Sequence, residues 1–77
     1  MELKEFIGNF ANQFDETDES AFQADTVVES LDEWSSLTTL AVMNMIGKKY
    51  GVIIRIDDIR QARTILDLFN MVESRQK

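Results

Sequence analysis

Leu3, Phe6, Ile7, Phe10, Ala11 and Phe14 recur along the chain at the spacing of one helical face, with Glu2, Lys4, Glu5, Asn9, Asn12 and Gln13 between them. That pattern predicts an amphipathic helix over about residues 2–14. Three Phe on one stripe read as packing residues. No comparable stripe follows over residues 15–35, where an acidic, turn-forming DETDES run gives way to irregularly spaced Val27, Val28, Leu31 and Trp34. A long segment without structure is unusual inside a small domain, so these apolar residues are expected to pin it to the core like a lid. Trp34 fits such an anchor better than a stacking platform for a ligand.

Ser35 or Ser36 then opens a second helix through Leu37, Leu40, Ala41, Val42, Met43, Met45, Ile46 and Tyr50, with Gly51 as its natural stop. This helix is apolar nearly all round, which suits either the centre of a bundle or a face left open for a partner. Gly47 near its end costs about 1 kcal/mol relative to Ala, which close approach of another backbone or of a partner could offset. Val52, Ile53, Ile54 and Ile56 are β-branched, yet a lone strand would have nothing to pair with. An extended connection burying Val52 or Ile54 is expected instead, then a short helical turn near Asp57–Ala62. Thr64 and Asp67 have the spacing of a capping box, and Ile65, Leu66, Leu68, Phe69 and Val72 continue as a last helix to about residue 74. The predicted fold is all-α: a small four-helix bundle, three longer helices plus one short, with a long first loop, in a single domain over residues 1–77.

Composition narrows the function. The chain has 77 residues with no Cys and no His. A structural zinc site and Cys- or His-based catalysis by the chain itself are therefore excluded. The net charge of −6 argues against nucleic acid as a partner, because phosphate neutralisation needs clustered Lys and Arg. No apolar run approaches the roughly 20 residues of a membrane span, and the amphipathic, acid-bearing N-terminus does not read as a signal peptide. A cytoplasmic monomer is expected. The charge is uneven: residues 1–33 hold ten acids and one base, Lys4, whereas residues 34–77 hold seven bases and four acids. The two halves can attract each other, or the acidic half can steer a basic partner.

Candidate chemistry is sparse. Carboxylates abound, but none pairs within an evident apolar pocket. Ser20, Ser30, Ser35 and Ser36 have no His to act as base, and a Ser–Lys arrangement needs an enclosing site. Asp15, Thr17 and Glu19 match the first, third and fifth positions of a calcium loop, but Ser20 stands where the turn needs Gly and Thr26 where it needs a bidentate Glu. No metal site is expected. What remains is Ser36-Leu37, at a helix start after an acidic loop. The unpaired amides and positive dipole end there favour a phosphate. On spacing alone, an ordinary N-cap explains Ser35 or Ser36 better.

The wider pattern changes that balance. Leu31-Asp32-Glu33-Trp34-Ser35-Ser36-Leu37, an apolar helix, then Tyr50-Gly51-Val52-Ile53-Ile54 and a capped last helix span nearly the whole chain and resemble the acyl carrier protein family. That family has a four-helix bundle, a long first loop and an Asp-Ser-Leu motif at the start of its second helix. The resemblance implies that Ser36 bears 4′-phosphopantetheine from coenzyme A, whose thiol carries acyl or aminoacyl groups as thioesters. Trp34, Ser35 and Leu37 would flank the attachment point. Implied partners are a phosphopantetheinyl transferase and acyl-loading and acyl-transfer enzymes, meeting Leu37, Leu40 and Asn44. The protein itself would not be an enzyme. Met43 and Met45 suit an interior that deforms around a chain, although both also serve as ordinary core fillers.

Two departures separate the chain from the family pattern. The Asp before the modified serine is Ser35 here, which removes a charge beside the incoming phosphate and supplies a rival acceptor. The second helix carries no acids for basic partners to read, which points to a specialised pathway. An alternative is a carrier-like bundle that is not modified and binds a partner through its apolar second helix.

Overall fold

The computed structural model describes residues 2–76. Four α-helices follow in order: α1 Leu3–Ala11, α2 Ser36–Tyr50, α3 Ile56–Gln61 and α4 Ile65–Arg75. Two short 3₁₀ turns, Glu19–Ala21 and Val28–Ser30, lie in the connection between α1 and α2. The all-α bundle with three longer helices and one short is what the apolar periodicity predicts.

Phe6 is where the long helices meet. It is fully buried, packing edge-on to Phe69 of α4 and tilted against Tyr50 at the end of α2, each at 5.6 Å. Burying such a side chain contributes about 1.5–3 kcal/mol. Asn9 donates to the Tyr50 hydroxyl at 2.8 Å, so the same contact is closed by a polar pair. The first helix ends earlier than its stripe predicts. Its last residues, Asn12 to Phe14, wind on as a tighter turn, with Gln13 and Phe14 amides donating to Phe10 and Ala11 carbonyls. Phe14 is nonetheless buried, since the tighter turn keeps it on the same side.

The first loop is held at three levels. Phe22, Val28 and Leu31 are buried in the core. Phe22, which its acidic surroundings hide in the sequence, meets the rings of Phe14 at 5.1 Å and Phe10 at 6.0 Å. Trp34 stacks on Phe10 and Phe14, so it does act as an anchor. The backbone of residues 24–28 then closes the start of α4. The Ile65 and Leu66 amides, orphans at a helix N-terminus, donate to the carbonyls of Thr26 and Ala24, and the Val28 amide returns a bond to Arg63. Thr64 and Asp67 complete the capping box that their spacing predicts. The loop thus meets the two α4 amides, of Ile65 and Leu66, that this box leaves over.

Val52 and Ile54 are both buried while Ile53 between them is exposed, as expected of an extended connection. Gly51 stops α2 with a φ of 65°, a left-handed conformation that glycine adopts without penalty. Gly47 differs from expectation. A Cβ there would meet nothing nearer than the Val52 carbonyl oxygen at 4.0 Å, so no backbone approaches closely enough to require glycine. At the far end, the Arg75 guanidinium grips the Asp58 carboxylate through two bonds of 2.9 and 3.0 Å, joining α4 to α3. That grip, helped by the Arg55 amide, holds the Asp58 pKa down to about 2.

Candidate functional site

Three local features place Ser36. The Glu33 carboxylate reaches back to accept from the Thr17 hydroxyl and from the Glu16 and Asp15 amides, fixing the loop's start beside its end. The Thr17 hydroxyl leads in holding the Glu33 pKa below the usual carboxylate value, with the amides adding to it. Trp34 anchors the next residue on the Phe10 and Phe14 rings. Ser35 then turns the chain into α2 as its N-cap, accepting from the Thr38 amide at 3.4 Å while the Thr38 hydroxyl accepts from the Ser35 amide at 2.8 Å. Hence Ser36 becomes the first residue of α2.

The two serines now differ in kind. The Ser35 hydroxyl is engaged in the capping box. Ser36 is exposed, and its hydroxyl makes no hydrogen bond among the described residues. The Thr38 amide is taken by Ser35 Oγ and the Thr39 amide by the Ser35 carbonyl, which leaves the Ser36 and Leu37 amides at the positive end of the helix. An open groove of about 500 Å³ begins here, lined by Trp34, Ser36, Leu40, Ile56, Ile59 and Arg60. Trp34, Leu40, Ile56 and Ile59 give it apolar surface, Ser35, Ser36 and Thr39 polar surface, and Arg60 of α3 and Glu29 of the loop one charge of each sign. The chain has no imidazole or thiol, and the charged side chains that share the groove with Ser36 are Glu29 and Arg60.

The remaining sequence candidates fall on one surface. Leu37 is 78% exposed and Leu40 is 52% exposed, and Asn44 is exposed too. The opposite face of α2 buries Val42, Met45 and Ile46, and Met43 packs half-buried against the core. The helix is therefore both a bundle element and an open face. Sequence reasoning missed Ile56, Ile59 and Arg60, which form the groove's far wall. Their helix is too short for periodicity to show which side it presents to α2. Among the described residues, no three carboxylates cluster closely enough to hold a metal ion, and no helix is long and apolar enough to cross a membrane. No family model, curated protein or solved structure matches the chain.

Proposed function

We propose that the chain is an acyl carrier protein, modified on Ser36 with 4′-phosphopantetheine and without catalytic activity of its own. One observation carries this reading: the only free hydroxyl of the Trp34-Ser35-Ser36-Leu37 turn stands exposed at the first position of α2, at the mouth of a groove of mixed apolar and polar lining. The residues present suit the group. Ser36 Oγ would form the phosphodiester, and the Ser36 and Leu37 amides at the helix start would favour its negative charge. Trp34, Leu40, Ile56 and Ile59 offer an apolar path for what hangs from it. When bound, the group would supply a thiol that holds acyl or aminoacyl cargo as a thioester.

In this reading the protein raises the effective concentration of its cargo at successive enzymes by tethering it. The partners are a phosphopantetheinyl transferase and the enzymes that load and remove the acyl group, with the protein acting as a cytoplasmic monomer. The absence of acids from α2 favours a dedicated pathway over general fatty-acid synthesis.

The test is intact mass after incubation with coenzyme A and a broad-specificity phosphopantetheinyl transferase. A gain of one phosphopantetheinyl unit, lost in Ser36→Ala, is expected. No gain, under conditions that modify a control carrier, would overturn the reading. A gain that survives Ser36→Ala would move the site to Ser35.

A second reading rests on the exposed Leu37 and Leu40 and on Ser35 in place of an acid: an unmodified adaptor that binds a partner through α2. Ser36→Ala separates the two, because an adaptor keeps its partner and a carrier loses all function.

A further inference from the structure

Glu33 and Trp34 hold two adjoining parts of one stretch of chain. The Trp34 ring stacks on Phe14. The Glu33 carboxylate takes the next three residues: Oε1 accepts from the Glu16 amide at 2.9 Å and from the Thr17 hydroxyl, and Oε2 accepts from the Asp15 amide at 3.3 Å. Glu33 stands 16 to 18 residues further along than these donors, so one carboxylate closes the first loop on itself. The same residue also reaches forward. The Thr38 hydroxyl shares its proton between the Glu33 and Ser35 carbonyls, at 3.0 and 3.1 Å, while it accepts from the Ser35 amide. Glu33 therefore joins the start of the loop to the capping box of α2, and Ser36 lies within the segment so spanned.

What holds this carboxylate is neutral. Among the described residues the ion pair is Asp58–Arg75, so no Lys or Arg comes within 4.0 Å of Glu33. Glu16, Asp18 and Asp32 line the same hollow as Glu33 and carry its own sign. Hydrogen bonds to a charged acceptor, the stronger kind, thus work here against repulsion, and no cation makes good the loss of a donor. Thr17 is the one side-chain donor of the three residues and is half-buried. Beyond Trp34 the turn has little else to fix it, since Ser35, Ser36 and Leu37 are all exposed.

We infer that Glu33 is a positioning residue for Ser36: its bonds to Asp15, Glu16 and Thr17 hold the turn in which the serine hydroxyl is offered to a transferase. For the reaction this rests on the carrier reading, whereas the hold on the turn belongs to the free protein. In the transfer, Ser36 Oγ bonds the phosphorus of coenzyme A that carries the pantetheine arm. The adenosine bisphosphate leaves with the electron pair of the P–O bond that breaks, and the hydroxyl proton is released to the buffer. The acceptor oxygen must meet that phosphorus at one distance and angle, so a turn that wanders is competent only part of the time. A turn in place about a fifth of the time raises KM for this protein about fivefold and leaves kcat unchanged, because only binding waits on the competent form. Glu33 does not line the groove and makes no bond to the Ser36 hydroxyl, so it acts through the turn alone.

The test compares Glu33→Ala, Thr17→Val and Thr17→Ser with the unaltered chain, all unmodified. ¹⁵N relaxation reads the turn directly. Amide order parameters of Trp34, Ser35 and Ser36 are expected at about 0.85 in the unaltered chain and in Thr17→Ser, and to fall toward about 0.6 in Glu33→Ala and Thr17→Val. Transfer from coenzyme A by a broad-specificity phosphopantetheinyl transferase reads the consequence. KM for the protein is expected to rise about fivefold in Glu33→Ala and about twofold in Thr17→Val, with kcat and the KM for coenzyme A held, while Thr17→Ser restores the unaltered value. Thr17→Val keeps the shape of a half-buried side chain, so it decides the matter even where Glu33→Ala loosens the fold. Order parameters in Thr17→Val equal to those of the unaltered chain, or a fall in kcat in place of a rise in KM, would overturn the inference. An unaltered chain that accepts no group overturns the carrier reading instead, and the relaxation data then decide by themselves whether Glu33 holds the turn.

Discussion

The first loop and α2 use their apolar residues in opposite ways. The loop, acidic and without periodicity, buries Phe22, Val28 and Leu31 and stands half-buried Trp34 on two Phe rings. α2 is the more apolar segment, yet it leaves Leu37 and Leu40 in water. Average hydrophobicity would assign the two the wrong roles. The loop must bury what it has, because its few apolar side chains are its main hold on the bundle. The helix already has Val42, Met45 and Ile46 inside, so its further leucines are free to meet something else. Surplus apolar surface on a regular element is thus the better sign of function than an apolar residue in an irregular one.

That contrast can be broken by substitution. Phe22→Ala should have the largest effect, about 3 kcal/mol of lost stability, because a cavity would open beside Phe10 and Phe14. Chemical denaturation measures it, and a loss below about 1 kcal/mol would mean that the loop is not part of the core. Ser35→Ala comes next: loss of the cap on α2 should cost about 0.5–1 kcal/mol, while Ser36→Ala should leave the melting curve nearly unchanged. Equal losses would show that both hydroxyls serve the helix. Leu40→Ala should change stability by less than about 0.5 kcal/mol, in contrast to Phe22→Ala, since that side chain is already half in water. A larger loss would place Leu40 in the core.

Acid sharpens the comparison last. The Arg75 grip, with the Arg55 amide, holds Asp58 at about 2 against its ordinary 3.8. Glu33 is likewise held below its ordinary 4.5 by the Thr17 hydroxyl and neighbouring amides. In both cases the unfolded chain takes up its proton first, so the stability they contribute is present above the ordinary values and is lost as pH falls through the folded ones. Melting temperature should therefore drop below about pH 4.5, with the Asp58 part lost between 3.8 and about 2. Asp58→Asn should remove the lower part of that slope and Glu33→Gln the upper part. An unchanged slope in both variants would assign acid sensitivity to other carboxylates.

Much of this architecture was legible from the residues. The Phe stripe of α1, the Gly51 stop, the alternation of Val52 and Ile54 around Ile53, and the Thr64–Asp67 box all act within a turn or two of chain, where periodicity and capping chemistry operate. Ser36 as a candidate also came from the sequence, through its place in a motif at a helix start. The assignment of cap to Ser35 and exposed hydroxyl to Ser36 did not, because both residues cap helices equally well in isolation. Nor did Phe22, whose neighbours are acidic, nor the early end of α1, where the stripe continues while the hydrogen bonds tighten.

Local pattern alone determined that the chain is helical, where most helices begin and end, and that no Cys or His chemistry exists within it. The tertiary structure decided which apolar residues are spent on the core and which are left outside. It brought the carbonyls of Ala24 and Thr26 to the orphan amides of α4, and Ile56 and Arg60 of α3 alongside Leu40 of α2. These contacts join residues far apart in the chain, and no periodicity encodes which face of one element meets another. Only packing the faces together, under the demand that buried polar groups find partners, makes that choice.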